Sequence, residues 1–171
     1  MTNSNDEARI YIACLSSYNN GILHGEWVTP ESDKQLLQDQ IDNVIKNSPI
    51  ENAEEWVIHD YDNFPNLGEY PSLEAIVKVQ EAIEEHGVHL VNAFFEVGSL
   101  DDIDNIQDRF YGEYESFKIF TYEFAHDTIP ELDRGTTLSR YFDYEAFERD
   151  LSFDFDEAMG ENGSSYIFCN R

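Results

Sequence analysis

A chain with 36 Asp and Glu against 10 Lys and Arg, a formal charge of -26, can fold only where apolar contacts outweigh the mutual repulsion of its carboxylates. Its 171 residues supply such contacts: 41% are hydrophobic and 14% aromatic, enough for one ordinary core or two or three small ones. A disordered acidic tail is excluded on that composition. The charge is far beyond what solubility requires, which leaves three readings. The surface is solvated and has no partner, or it binds calcium or magnesium, or it meets something strongly basic. Because the acidic bias runs through the whole chain and not through one segment, the first reading loses ground.

Cys14 and Cys169 stand near opposite ends with no CxxC, and read as small buried hydrophobes in strands. The opening Met1-Thr2-Asn3-Ser4-Asn5-Asp6-Glu7 is polar, and no apolar run approaches a membrane span. The expectation is a reduced, cytoplasmic protein.

Local patterns predict an α+β fold, an elongated chain of three small domains. In residues 1–61, Arg9 to Leu15 reads as a strand, Asn19-Asn20-Gly21 as a turn, and Ile22 to Val28 as its hairpin partner. Thr29 then caps a helix with Pro30 at its first position, and Leu36, Leu37, Ile41, Val44 and Ile45 form its inner face. Glu54 to Tyr61 completes the sheet. In residues 62–103, Ser72 caps a helix with Leu73, Ile76, Val77 and Ile83 inward, and Gly87 ends it. Val88 to Val97 is a short apolar helix, and Ser99 opens another with Ile103, Ile106 and Phe110 inside. This acidic helical module holds nine acids and one base.

Residues 104–171 mix both element types. Tyr111 to Tyr114 reads as a strand, and Phe117, Phe120 and Phe124 fit a helix capped by Ser116, with a strand as the alternative. Asp143 caps a helix in which Phe142 and Phe147 form a hydrophobic staple, and Tyr144, Phe147 and Leu151 share a face. Leu151 to Phe155 and Tyr166 to Cys169 read as strands joined through Asn162-Gly163.

Catalytic and metal-binding patterns are absent from the sequence. His86 and His89 straddle Gly87 and cannot pair on one helix as zinc ligands, and there is no HExxH. His59 and Asp60 are consecutive on a strand, so their side chains should point to opposite faces, which weakens a triad with Cys14. Neither the run from Asp102 nor that from Asp154 has a glycine at the sixth position of a calcium loop. No Gly-rich phosphate loop or basic patch is present, and a -26 surface disfavours binding to DNA itself. The expectation is no enzyme, no catalytic residue, no metal and no cofactor. The alternative from another class is a divalent-metal-binding acidic protein or metal-dependent enzyme.

Duplex DNA carries about one negative charge per 1.7 Å of axis, so a charge of -26 corresponds to about 45 Å of duplex. Carboxylates, like phosphate oxygens, only accept hydrogen bonds, and the Arg and Lys of a DNA-binding groove can grip either. Glu74, Glu81, Glu84, Glu85, Asp101, Asp102, Asp104 and Asp108 are the candidate DNA-mimic acidic surface. Tyr111, Tyr114 and Phe117 are candidates for a dimer interface, since apolar surface is the natural contact between bodies that repel, with membership of the core as their alternative.

Three blocks of sequence carry a family likeness. They are Ile10-Tyr11-Ile12-Ala13-Cys14-Leu15 with Tyr18-Asn19-Asn20-Gly21 and His24-Gly25-Glu26-Trp27, then Glu55-Trp56-Val57-Ile58-His59-Asp60-Tyr61, then Tyr141 through Leu151. In these blocks the chain resembles the ArdA antirestriction proteins of mobile genetic elements. The resemblance implies an elongated three-domain homodimer, joined through its C-terminal domain, that mimics bent DNA and occupies the methyltransferase core of Type I restriction-modification enzymes. A mimic aimed at another basic DNA-binding protein is the remaining alternative.

Overall fold

The computed structural model describes residues 7–170, so the polar opening Met1 to Asp6 and Arg171 lie outside the described residues. The chain forms two compact units, Met1–Phe95 and Glu96–Arg171. Each contains a three-stranded antiparallel sheet with helices, an α+β fold.

In the first unit β1 (Arg9–Cys14) is the central strand, flanked by β2 (Gly25–Val28) and β3 (Trp56–Asp62). Ile10 and Ile12 are fully buried on one face of β1, while Tyr11 turns to the other and meets the edge of Trp27. Helix α2 (Lys34–Lys46) packs on β1 and β2 and buries Leu37, Ile41, Val44 and Ile45, whose spacing forms one helical stripe. Leu36, expected on that face, lies beside the stripe and is half-exposed.

Helix α1 (Leu15–Asn19) is inserted between β1 and the expected turn, which keeps its place at Asn20-Gly21 with a φ of 73° at Gly21, and the Cys14 sulfur accepts the Ser17 N–H at the helix start. Two local expectations are corrected. α2 begins at Lys34 and not at Pro30. The Asp33 carboxylate accepts the N–H groups of both Gln35 and Leu36, whereas the Thr29 hydroxyl donates to Glu7. A bulge in the β1–β3 ladder leaves His59 without a partner residue, and His59 and Asp60 are both exposed.

Helix α3 (Leu73–His86) packs on α2, is capped by Ser72, and stops at Gly87, whose φ of 88° suits glycine. Its buried face is Ile76, Val79, Gln80 and Ala82, so the stripe is rotated from the expected one and Leu73, Val77 and Ile83 are only half-buried. Helix α4 (Val88–Val97) buries Val88, Val91, Ala93 and Phe94, and the boundary between the units falls within it.

The second unit opens with a 3-10 turn (Leu100–Asn105) and the short α5 (Ile106–Arg109). The expected single helix ends early because Phe110 begins β4 (Phe110–Tyr114). Helix α6 (Phe117–Thr128) follows, and Ser116 caps it by accepting the Ile119 N–H, which decides helix over strand. Next come α7 (Thr137–Tyr141) and α8 (Tyr144–Leu151). Asp143 caps α8 through the Ala146 N–H, and the rings of Phe142 and Phe147 lie 5.3 Å apart as the staple requires. Leu151 closes α8, so β5 starts only at Phe155 and runs to Met159. A turn with positive φ at Asn162 and Gly163 leads into β6 (Ser165–Cys169), the central strand of the order β4-β6-β5.

The core of this unit is Phe120, Leu151 and Ile167, ringed by Tyr114, Phe117, Phe124, Phe147 and Phe155. Phe120 meets Phe155 at 5.0 Å, Tyr114 at 5.2 Å, and Tyr111, Phe117 and Phe124 at 5.4 Å. Removing the Phe120 ring leaves a cavity that these neighbours cannot fill by small shifts. Phe120→Ala is expected to cost about 3–5 kcal/mol in urea denaturation, against less than about 1 kcal/mol for the half-exposed Leu36→Ala.

Candidate acidic interaction surface

Charge divides evenly between the units. Residues 1–95 hold seventeen acids and four bases, residues 96–171 nineteen acids and six bases, a net of -13 in each.

In the first unit the inward face of α3 is fixed by Ile76, Val79 and Ala82, which leaves Glu74, Glu81, Glu84 and Glu85 exposed. Glu81, Glu84 and Glu85 fall within about one turn, a spacing of roughly 5–6 Å between neighbouring side chains. The Gln80 amide, on the buried side, donates to the Glu84 carboxylate at 3.2 Å. Glu74 differs from the other three. The Lys34 ammonium bonds to it and, with the Glu74 backbone, holds its carboxyl below the usual range.

In the second unit the segment from Asp101 to Arg109 has two sides. Ile103, Ile106 and Arg109 recur every three residues and are buried, while Asp101, Asp104 and Asp108 are exposed. Asp102 stands between these sets. One of its carboxylate oxygens accepts from the Asn105 amide and the other from Arg109 Nη1, both at 2.6 Å. The Asn105 amide first and the Arg109 guanidinium second hold its carboxyl below the usual range. Arg109 also donates from Nε to the Cys169 carbonyl at 2.9 Å, and its Nη2 lies 3.5 Å from the Asp156 carboxylate. A cleft of about 580 Å³ beside this cluster is lined by Val97, Asp102, Asn105, Asp108, Arg109, Asp156 and Asn170. Two of its three carboxylates are thus already engaged by an arginine. Among the described residues, no group of three or more His, Cys, Asp or Glu is disposed to hold a metal ion.

The aromatic candidates separate. Tyr114 and Phe117 are half-buried against Phe120, whereas Tyr111 touches Phe120, Phe124 and Phe155 with one side and is 44% exposed on the other. Burial is the largest cause pushing both Tyr111 and Tyr114 hydroxyls above their ordinary range.

Two features escaped the sequence reading. Arg109 as an internal counter-ion had one signal, its position on the Ile103–Ile106 stripe. The other feature is His126 on α6, with Nδ1 2.6 Å from the Asp133 carboxylate and Nε2 2.9 Å from the Tyr144 hydroxyl. Nothing in the spacing of those three residues announces it.

Residues 10–166 match the family described as Antirestriction protein (ArdA). The chain belongs to the ArdA antirestriction family. That match spans the blocks in which the likeness was read, and it makes the chain an antirestriction protein by family. Comparison with curated proteins finds no match. Among the described residues, no helix is long and apolar enough to cross a membrane.

The Asp102 carboxyl titrates below its unfolded value, so its stabilising contribution is complete above the ordinary Asp range near pH ~4 and disappears as pH falls through the lower folded value. Asp102→Asn is therefore expected to melt below the wild type at neutral pH. The gap in Tm should close as the pH is taken below about 4 in a series of thermal melts.

Proposed function

We propose that this ArdA-family chain inhibits without catalysis, presenting carboxylates where a Type I restriction-modification enzyme, through its methyltransferase core, grips DNA phosphates. The observation that carries the reading is the sorting of charge. Bases such as Arg109 and Lys34 bond to nearby acids, and each unit keeps an uncompensated -13. Arginine and lysine side chains built to hold phosphate oxygens accept carboxylate oxygens with the same donors.

In this account Glu81, Glu84, Glu85, Asp101, Asp104 and Asp108 act directly. Glu74 and Asp102 contribute less, because each must leave a cation, Lys34 or Arg109, to meet a new one. The chain works in the cytoplasm as a homodimer of elongated form, with modules 1–61, 62–103 and 104–171. The dimer seam lies around the exposed side of Tyr111, with Tyr114 and Phe117 behind it.

A competition assay tests the reading. A Type I methyltransferase core bound to labelled target duplex is titrated with the protein, and displacement near one dimer per enzyme is expected. Glu81→Gln alone should change the midpoint less than about threefold, since exposed charge pairs contribute little singly. No displacement at large excess and low salt would overturn the Type I assignment.

A further inference from the structure

Arg109 is one of only 10 Lys and Arg in the chain, and it is 9% exposed. A buried guanidinium is tolerated only when its donors are satisfied by well-placed acceptors. Here the acceptors come from three separate segments: Asp102 on the 3-10 turn, Asp156 on β5, and the Cys169 carbonyl on β6. Asn105 braces the second oxygen of Asp102, so both oxygens of that carboxylate are held. Four acids, Asp101, Asp102, Asp104 and Asp108, crowd into eight residues of this segment, and like charges so close destabilise its local structure.

We infer that Arg109 is a positioning residue for the acidic ridge: its fork fastens residues 100–108 to β5 and β6, so that Asp101, Asp104 and Asp108 face outward in a fixed arrangement before any partner arrives. The inference rests on the reading of those three carboxylates as phosphate stand-ins. A mobile run of acids would carry the same charge, but a partner would have to order it and press the carboxylates together, both of which weaken binding. Ile103 and Ile106 seat the segment on the core, yet neither reaches the sheet strands by a directional bond as Arg109 does. Arginine is needed for its geometry, because a lysine ammonium is a point charge that cannot bond in three fixed directions from one plane.

The test compares hydrogen exchange, read by mass spectrometry on the full chain, with inhibition of a Type I methyltransferase core bound to labelled duplex. Arg109→Lys should speed exchange of the amides in 100–108 about tenfold, leave β4 and β6 protected, and raise the inhibitory midpoint about tenfold. Each figure corresponds to about 1.4 kcal/mol. Asp156→Asn, which removes one anchor without stranding a buried charge, should shift both readouts in the same direction by a smaller factor. The triple variant Asp101→Asn, Asp104→Asn, Asp108→Asn should raise the midpoint while leaving exchange at Arg109 and its anchors unchanged.

Unaltered exchange in Arg109→Lys, or a loosened ridge that inhibits as well as the wild type, overturns the role of Arg109 while the triple variant remains impaired. If Arg109→Lys fails to fold, unchanged exchange in Asp156→Asn overturns it equally. A triple variant that inhibits like the wild type overturns the phosphate reading instead.

Discussion

Repulsion among carboxylates is the constraint to which every other feature of this chain answers. A folded state is stable by only about 5–15 kcal/mol, so gathering a charge of -26 into two compact units requires tight apolar cores beneath it. Both units meet this in the same way, with a central strand carrying the most buried side chains and amphipathic helices beside it. Ile10 and Ile12 of β1 are fully buried in one, and Ile167 and Phe168 of β6 in the other. The second unit concentrates aromatic rings around Phe120, where edge-on contacts add to the area each ring removes from water.

Three of the bases join elements. Arg9 links β1 to the end of β3 through Asp62, Lys34 links α2 to α3 through Glu74, and Arg109 links the segment before β4 to β5 and β6. Exposed pairs such as Lys34 with Glu74 add little stability in water, but they fix which acids are neutralised locally. The acids of α3 beyond Glu74 and the outward side of the Asp101–Asp108 segment keep their exposure.

Much of the fold was legible because it is written locally. Ser72, Ser116 and Asp143 cap helices as their sequence context suggests, Gly87 stops α3, and Asn162-Gly163 turns β5 back to β6. The start of α2 at Lys34 is harder to read, since two competent caps, Thr29 and Asp33, stand four residues apart, and it is Asp33 that accepts the first helical N–H groups while the Thr29 hydroxyl donates to Glu7. The bulge at His59 and helix α1 also depend on contacts with distant chain, the Leu15 N–H reaching the Glu55 carbonyl. The exposed acids of the candidate surface followed directly from helical periodicity. The pairing of Asp102 with Arg109 did not, because its meaning comes from Cys169 and Asp156, some fifty to sixty residues further along the chain.

The claim at the centre of this account is that exposed carboxylates stand in for DNA phosphates in the grip of a basic groove. The most direct test is the salt dependence of affinity, measured for one Type I methyltransferase core with this protein and with its own target duplex. Binding through many screened ion contacts predicts two steep lines of similar slope when log affinity is plotted against log salt. A flat line for the protein beside a steep one for the duplex would contradict the claim and leave apolar contact as the basis of inhibition.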